Sequence, residues 1–186
     1  MSDIRTVIIV TDAFDRKGPA GALASEGALF TSFEFGVPPS AHVAGGILEA
    51  GNAAGALERL DSGALLVKAD ISGAELGEGL KRLAEDSPLK TVFALLAPGA
   101  LAFWGHAIAR GTVSEKPATS MDVLPTLAMV GEFLLAPGVE GRVLFEVLKN
   151  PSYKQGQVGR LKAALARLEK ALKRDSQEPW DKHDCA

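Results

Sequence analysis

Three short runs of apolar and β-branched residues constrain the fold more than any other feature: Thr6–Thr11 (TVIIVT), Ala64–Ala69 (ALLVKA) and Thr91–Leu96 (TVFALL). Runs of this length that do not alternate with polar residues suit strands buried on both faces, as in a parallel sheet. Asp12 directly follows the first run and Asp70 the second, while Ala97-Pro98-Gly99 follows the third. Ligand-binding residues of open α/β sheets gather at such carboxyl ends. Helical patterns separate the runs, over Gly18–Glu26, Asn52–Leu60 and Glu75–Glu85. In the last of these, Leu76, Leu80 and Leu83 recur at the spacing of one helix face. Strands alternating with helices predict an α/β fold with a mostly parallel sheet.

Composition narrows the function classes. A chain of 186 residues accommodates one domain plus an extension. Its 47% hydrophobic content supports a core and excludes general disorder. The net charge of −3 and pI near 5.7 lack the basic excess of a nucleic-acid binder. The single cysteine, Cys185, rules out an internal disulfide. The N-terminal apolar run is too short for a signal peptide, and no run reaches the roughly 18 apolar residues that span a bilayer. These features predict a cytoplasmic protein without a membrane span. No G-x-G-x-x-G or Walker-type loop follows a strand, which weighs against a nucleotide-binding flavodoxin-like domain.

The segment Met121–Leu144 (MDVLPTLAMVGEFLLAPGVEGRVL) reads as a helix opened by Asp122, with Pro125 in its first turn, then a Gly/Pro turn and the tag Gly138–Leu144. Asp122 can cap free N–H groups there, and a proline so early gives up no needed donor. The arrangement of Asp122, Pro125, Thr126, Gly131, Pro137, Gly141 and Leu144 resembles the segment that closes the core of the alkaline phosphatase superfamily, in particular its sulfatase and phosphodiesterase branches. VIIVTDAFDR and ALASEGALFTSFEF are similar to that family's opening motifs, and the resemblance covers roughly residues 4 to 150. It implies a three-layer α/β/α sandwich with a mostly parallel sheet. It also implies a two-metal ester-hydrolase site, which needs about six protein ligands with the metals about 4 Å apart.

Carried over residue by residue, the resemblance assigns Asp12 and Asp70 to metal ligation and puts the nucleophile at Ser40, ahead of a helix closed by Gly51. Ser40 read locally is an N-cap after a Pro-Pro turn. Asp70-Ile-Ser-Gly73-Ala74 keeps the Asp and Gly of a metal motif but has Ala74 in place of its histidine, and Glu75 stands next to it. Ala97-Pro98 stands where an Asp-His pair is expected. A methyl group and a pyrrolidine ring offer no electron pair to a metal. His106 answers the last metal histidine or is a structural histidine beside Trp104. What remains is at most one divalent site for zinc, manganese or calcium, from Asp12, Asp70 and His106, or no metal at all. Asp12 and Asp70 would repel each other unless a cation or Arg16 sits between them.

The composition changes after Asn150, which divides the chain into residues 1–150 and a C-terminal part, 151–186. Val158, Leu161, Leu165, Leu168 and Leu172 recur at heptad-like spacing amid basic residues, predicting an amphipathic helix over about Gln155–Arg174. The helix either packs on its own sheet, or dimerises or docks on another protein, or touches anionic lipid weakly. The polar tail after it carries Trp180 as a partner contact, and His183 and Cys185 two residues apart. Together these features point to a degenerate, non-catalytic alkaline-phosphatase-like domain. It would act as a binding, regulatory or assembly subunit, as a homo-oligomer or with a protein partner through Leu161, Leu165, Leu168, Leu172 and Trp180. The alternative is a phosphate- or sulfate-ester hydrolase with Ser40 as nucleophile and a single metal.

Overall fold

The structure, a computed structural model, describes residues 4–18, 21–22, 26–36 and 47–177. The chain divides into two compact units, Met1–Lys149 and Asn150–Ala186. Among the described residues of the first unit, the strands are β1 (Arg5–Val10), β2 (Ala28–Phe30), β3 (Phe33–Glu34), β4 (Leu48–Ala50), β5 (Leu66–Asp70), β6 (Thr91–Ala97), β7 (Ala100–Gly105), β8 (Thr112–Ser114) and β9 (Ala118–Thr119). The described residues of this unit include the α-helices α1 (Ala53–Asp61), α2 (Leu76–Asp86) and α3 (Val123–Gly131).

Seven strands form one sheet in the order β4-β5-β1-β6-β7-β2-β8, and β3 pairs with β9 separately. Within the seven, β7 alone runs against its neighbours β6 and β2. The apolar runs explain the centre. Every residue of β6 is buried, because alternate side chains point to opposite faces and both faces are covered. Val92, Ala94 and Leu96 join Ile8, Phe30, Phe103 and the α3 residues Val123, Leu124 and Leu127 in one apolar cluster. Phe93 and Leu95 join Val7, Ile9, Val67 and the buried leucines of α1 and α2 in a second. Helices therefore flank a mostly parallel sheet on both faces, as the alternation of strands and helices predicts.

The helices start where their sequences allow. Asn52 Oδ1 accepts the Gly55 N–H at 2.9 Å and caps α1. Leu76, Leu80 and Leu83 are the buried face of α2, as their spacing predicts.

One expectation changes. The residues before Gly51 form strand β4, paired with β5, and not the last turns of a helix. Ala100–Gly105 is a strand that the sequence reading did not assign. It returns from β6 through Pro98-Gly99, with Ala97 and Ala100 in register. Proline presets its own φ and Gly99 adopts φ 69°, the residue pattern of a tight reverse turn. The helix expected over Gly18–Glu26 falls partly outside the described residues; Ala28–Phe30 beyond it is strand β2.

Among its described residues the second unit forms a long helix, α4 (Pro151–Gln177), which includes the predicted span. No helix among the described residues is long and apolar enough to cross a membrane.

Candidate functional site

The carboxyl ends of β1, β4, β5 and β6 open into a shared cleft of about 550 Å³. It is lined by Thr11, Asp12, Phe35, Gly51, Asp70, Ile71, Ser72, Glu75 and Pro98. Strand order reverses around β1, which has β5 on one side and β6 on the other. Such a switch point is where open α/β sheets place ligands. Asp70 is in register with Val10, and Asp12 lies two residues beyond Val10, so the sheet brings Asp12 and Asp70 to one place.

Each acidic group there is engaged by the scaffold. The Gly73 N–H donates to Asp12 Oδ1 at 2.8 Å, tying the loop after β1 to the turn after β5. Lys68 Nζ lies 3.3 Å from Asp70 Oδ2 and 3.6 Å from Glu49 Oε1. The Ser72 hydroxyl donates to Glu75 Oε2 at 3.4 Å. Arg16 does not separate the two aspartates; its Nη2 donates to the Gly99 carbonyl at 2.9 Å, across the hairpin turn. Lys68 supplies the compensating charge instead. The signal for it was a lone lysine inside an otherwise apolar strand. Its side chain is 15% exposed, a burial that favours a paired ammonium.

His106 stands elsewhere. β7 carries the chain back from the carboxyl edge to the amino edge, and the His106 N–H donates to the Thr91 carbonyl at 2.8 Å. Thr91 begins β6, whereas Leu96 is the residue in register with Val10. Five residues at about 3.3 Å each separate the two edges by about 17 Å. The expected single-metal grouping of Asp12, Asp70 and His106 is therefore not assembled: the strand inserted between Pro98 and His106 turns the histidine to the far side. There it lines a second cleft of about 430 Å³ with Trp104, Arg110, Glu26 and Ser87. Trp104 stacks on Phe93 at 5.2 Å between centroids. Among the described residues no three His, Cys, Asp or Glu side chains form a group that could hold a metal. Ser40 and Trp180, like His183 and Cys185, lie outside the described residues.

The closing segment has a structural explanation for its pattern. The Asp122 carboxylate does not cap α3. It accepts the Thr119 N–H at 3.0 Å and the Thr119 hydroxyl at 3.3 Å through Oδ2, and the Arg142 N–H at 2.8 Å through Oδ1. The Arg142 guanidinium also donates to the Pro117 carbonyl. Thr126 Oγ1 donates to the Asp122 carbonyl at 2.7 Å and accepts the Leu144 N–H at 3.0 Å. Gly141 passes Met121 so closely, at φ 105°, that a Cβ would lie 2.2 Å from the Met121 carbonyl oxygen. Asp122, Thr126, Gly141 and Leu144 thus form a latch that holds the tag against the start of α3, and none of them lines either of the two clefts above.

Comparisons with protein-family models, with curated proteins and with solved structures return no match.

Proposed function

We propose that this chain is a non-catalytic binding or assembly subunit whose core is a reduced alkaline-phosphatase-like α/β domain. The family part of this reading rests on the motif residues, and above all on the run from Asp122 to Leu144. The non-catalytic part rests on one observation: the two aspartates at the switch point are bound to the scaffold through Gly73 and Lys68, while His106 stands at the opposite edge. A hydrolytic metal needs several ligands with free electron pairs converging from one side. Asp12, Asp70 and Glu75 line the cleft but, among the described residues, form no group that could hold a metal, and Ala74 and Pro98 add no ligand. The chemistry left to the cleft is recognition through a few carboxylates beside the exposed rim of Phe35.

Hydrolysis of nitrophenyl phosphate and nitrophenyl sulfate in the presence of zinc, manganese or calcium tests this reading. The expected result is no turnover above that of a Ser40→Ala variant. Metal-dependent turnover that Ser40→Ala abolishes would establish the hydrolase instead.

A further inference from the structure

α4 is 27 residues long and carries its apolar side chains as a narrow seam. Val158, Leu161, Leu165, Leu168 and Leu172 follow at steps of three, four, three and four residues. This is the a/d alternation of a two-stranded coiled coil, narrower than the stripe a helix usually turns to a globular core. The four leucines are 70%, 57%, 62% and 69% exposed. Gly156 and Gly159 weaken the helix near its start, and helices of this kind take most of their stability from packing.

We propose that α4 pairs with α4 of a second copy of this chain, side by side and antiparallel. The proposal rests on the assembly reading above and names its partner. The flanking residues choose the orientation. With Leu165 and Leu172 at a and Leu161 and Leu168 at d, the e positions hold Lys162 and Glu169, and the g positions hold Ala164 and Ala171. In an antiparallel pair, a packs on d of the other helix. Leu161 then meets Leu172 and Leu165 meets Leu168, each contact occurring twice. The e positions face each other, so Lys162 meets Glu169 of the second copy on both sides of the two-fold axis. Ala164 meets Ala171 on the other flank, where small side chains let the helices approach. In a parallel pair, g faces e of the next heptad, which sets Gln157 against Lys162 and Ala164 against Glu169 without an ion pair. Charges at e and g set orientation in coiled coils, and here only the antiparallel arrangement is complementary.

The experiment is sedimentation equilibrium of the full chain, with Cys185→Ser throughout, up to about 100 μM. The wild-type chain should form a dimer. Lys162→Glu or Glu169→Lys alone should weaken it by up to about tenfold, since each puts like charges together twice. Lys162→Glu combined with Glu169→Lys should restore it. These positions lie outside the apolar seam, so the fold is preserved. Leu165→Asp with Leu168→Asp should abolish the dimer. A wild-type monomer at all concentrations overturns the proposal, as does a dimer indifferent to the leucine changes or a double charge swap no tighter than the single variants. In a monomer, lower stability after the leucine changes would mean that α4 packs on its own chain, and unchanged stability would leave its seam to a different protein. Ester hydrolysis is measured on the same samples. A monomer without hydrolysis refutes the pairing alone, whereas metal-dependent hydrolysis refutes the non-catalytic reading whatever the oligomeric state.

Discussion

Thr126→Val is nearly isosteric and removes one oxygen from the centre of the latch. Thr126 is fully buried and Leu144 is 1% exposed, so water cannot replace what the hydroxyl provides. The Leu144 N–H loses its acceptor, at a cost of about 1–3 kcal/mol for a stranded buried donor, and the bond to the Asp122 carbonyl contributes about 0.5–1.5 kcal/mol more. The methyl group that takes the place of the hydroxyl returns about 0.8 kcal/mol of apolar burial. The balance is a loss of about 2 kcal/mol, or about 4–8 °C in Tm for a domain of this size. Thr126→Ser is the control: it keeps both hydrogen bonds and loses one methyl, about 1 kcal/mol. Urea unfolding and thermal melts of the three proteins should rank wild type above Ser and Ser above Val. A valine variant as stable as wild type, or more stable than the serine variant, would refute the view that Thr126 joins α3 to the tag by hydrogen bonds.

Gly141→Ala should destabilise the domain by about 2 kcal/mol or more, because positive φ and contact with the Met121 carbonyl act together; denaturant midpoints report it. Ala97→Asp, at a fully buried strand position, should cost about 3 kcal/mol or more as an unpaired buried charge, seen as a lowered Tm. Ala74→His combined with Pro98→His adds two imidazoles at exposed positions. It should leave the fold intact and still give no hydrolysis of nitrophenyl phosphate, because His106 remains at the other edge of the sheet.

Much of the sheet is legible in the sequence because its central strands are buried on both faces. β1, β5 and β6 are apolar runs with no competing helical period, and α1 and α2 carry a clear start or a clear leucine face. What escapes is what depends on pairing. β2, β4 and β8 are three residues each, too short for a period to register, and are strands only because a neighbour supplies their hydrogen bonds. β7 had a signal. TVFALLA and ALAFWG are apolar runs of matched length around Pro98-Gly99, the mark of a hairpin. The resemblance gives that turn the place of a metal motif, and this hides the strand behind it. The consequence reaches the candidate site: once β7 exists, His106 cannot share an edge with Asp12 and Asp70. The engagement of Asp122 by Thr119 and Arg142 likewise needed the fold, since Asp122 and Arg142 are separated by 20 positions along the chain.

The most direct test is the metal content of the full chain purified without chelator, measured by elemental mass spectrometry beside Asp12→Ala and Asp70→Ala variants. A scaffold whose aspartates serve Gly73 and Lys68 should carry far less than one zinc, manganese or calcium ion per chain, with the same trace amount in all three proteins. One tightly held ion per wild-type chain, lost from both variants, would contradict it.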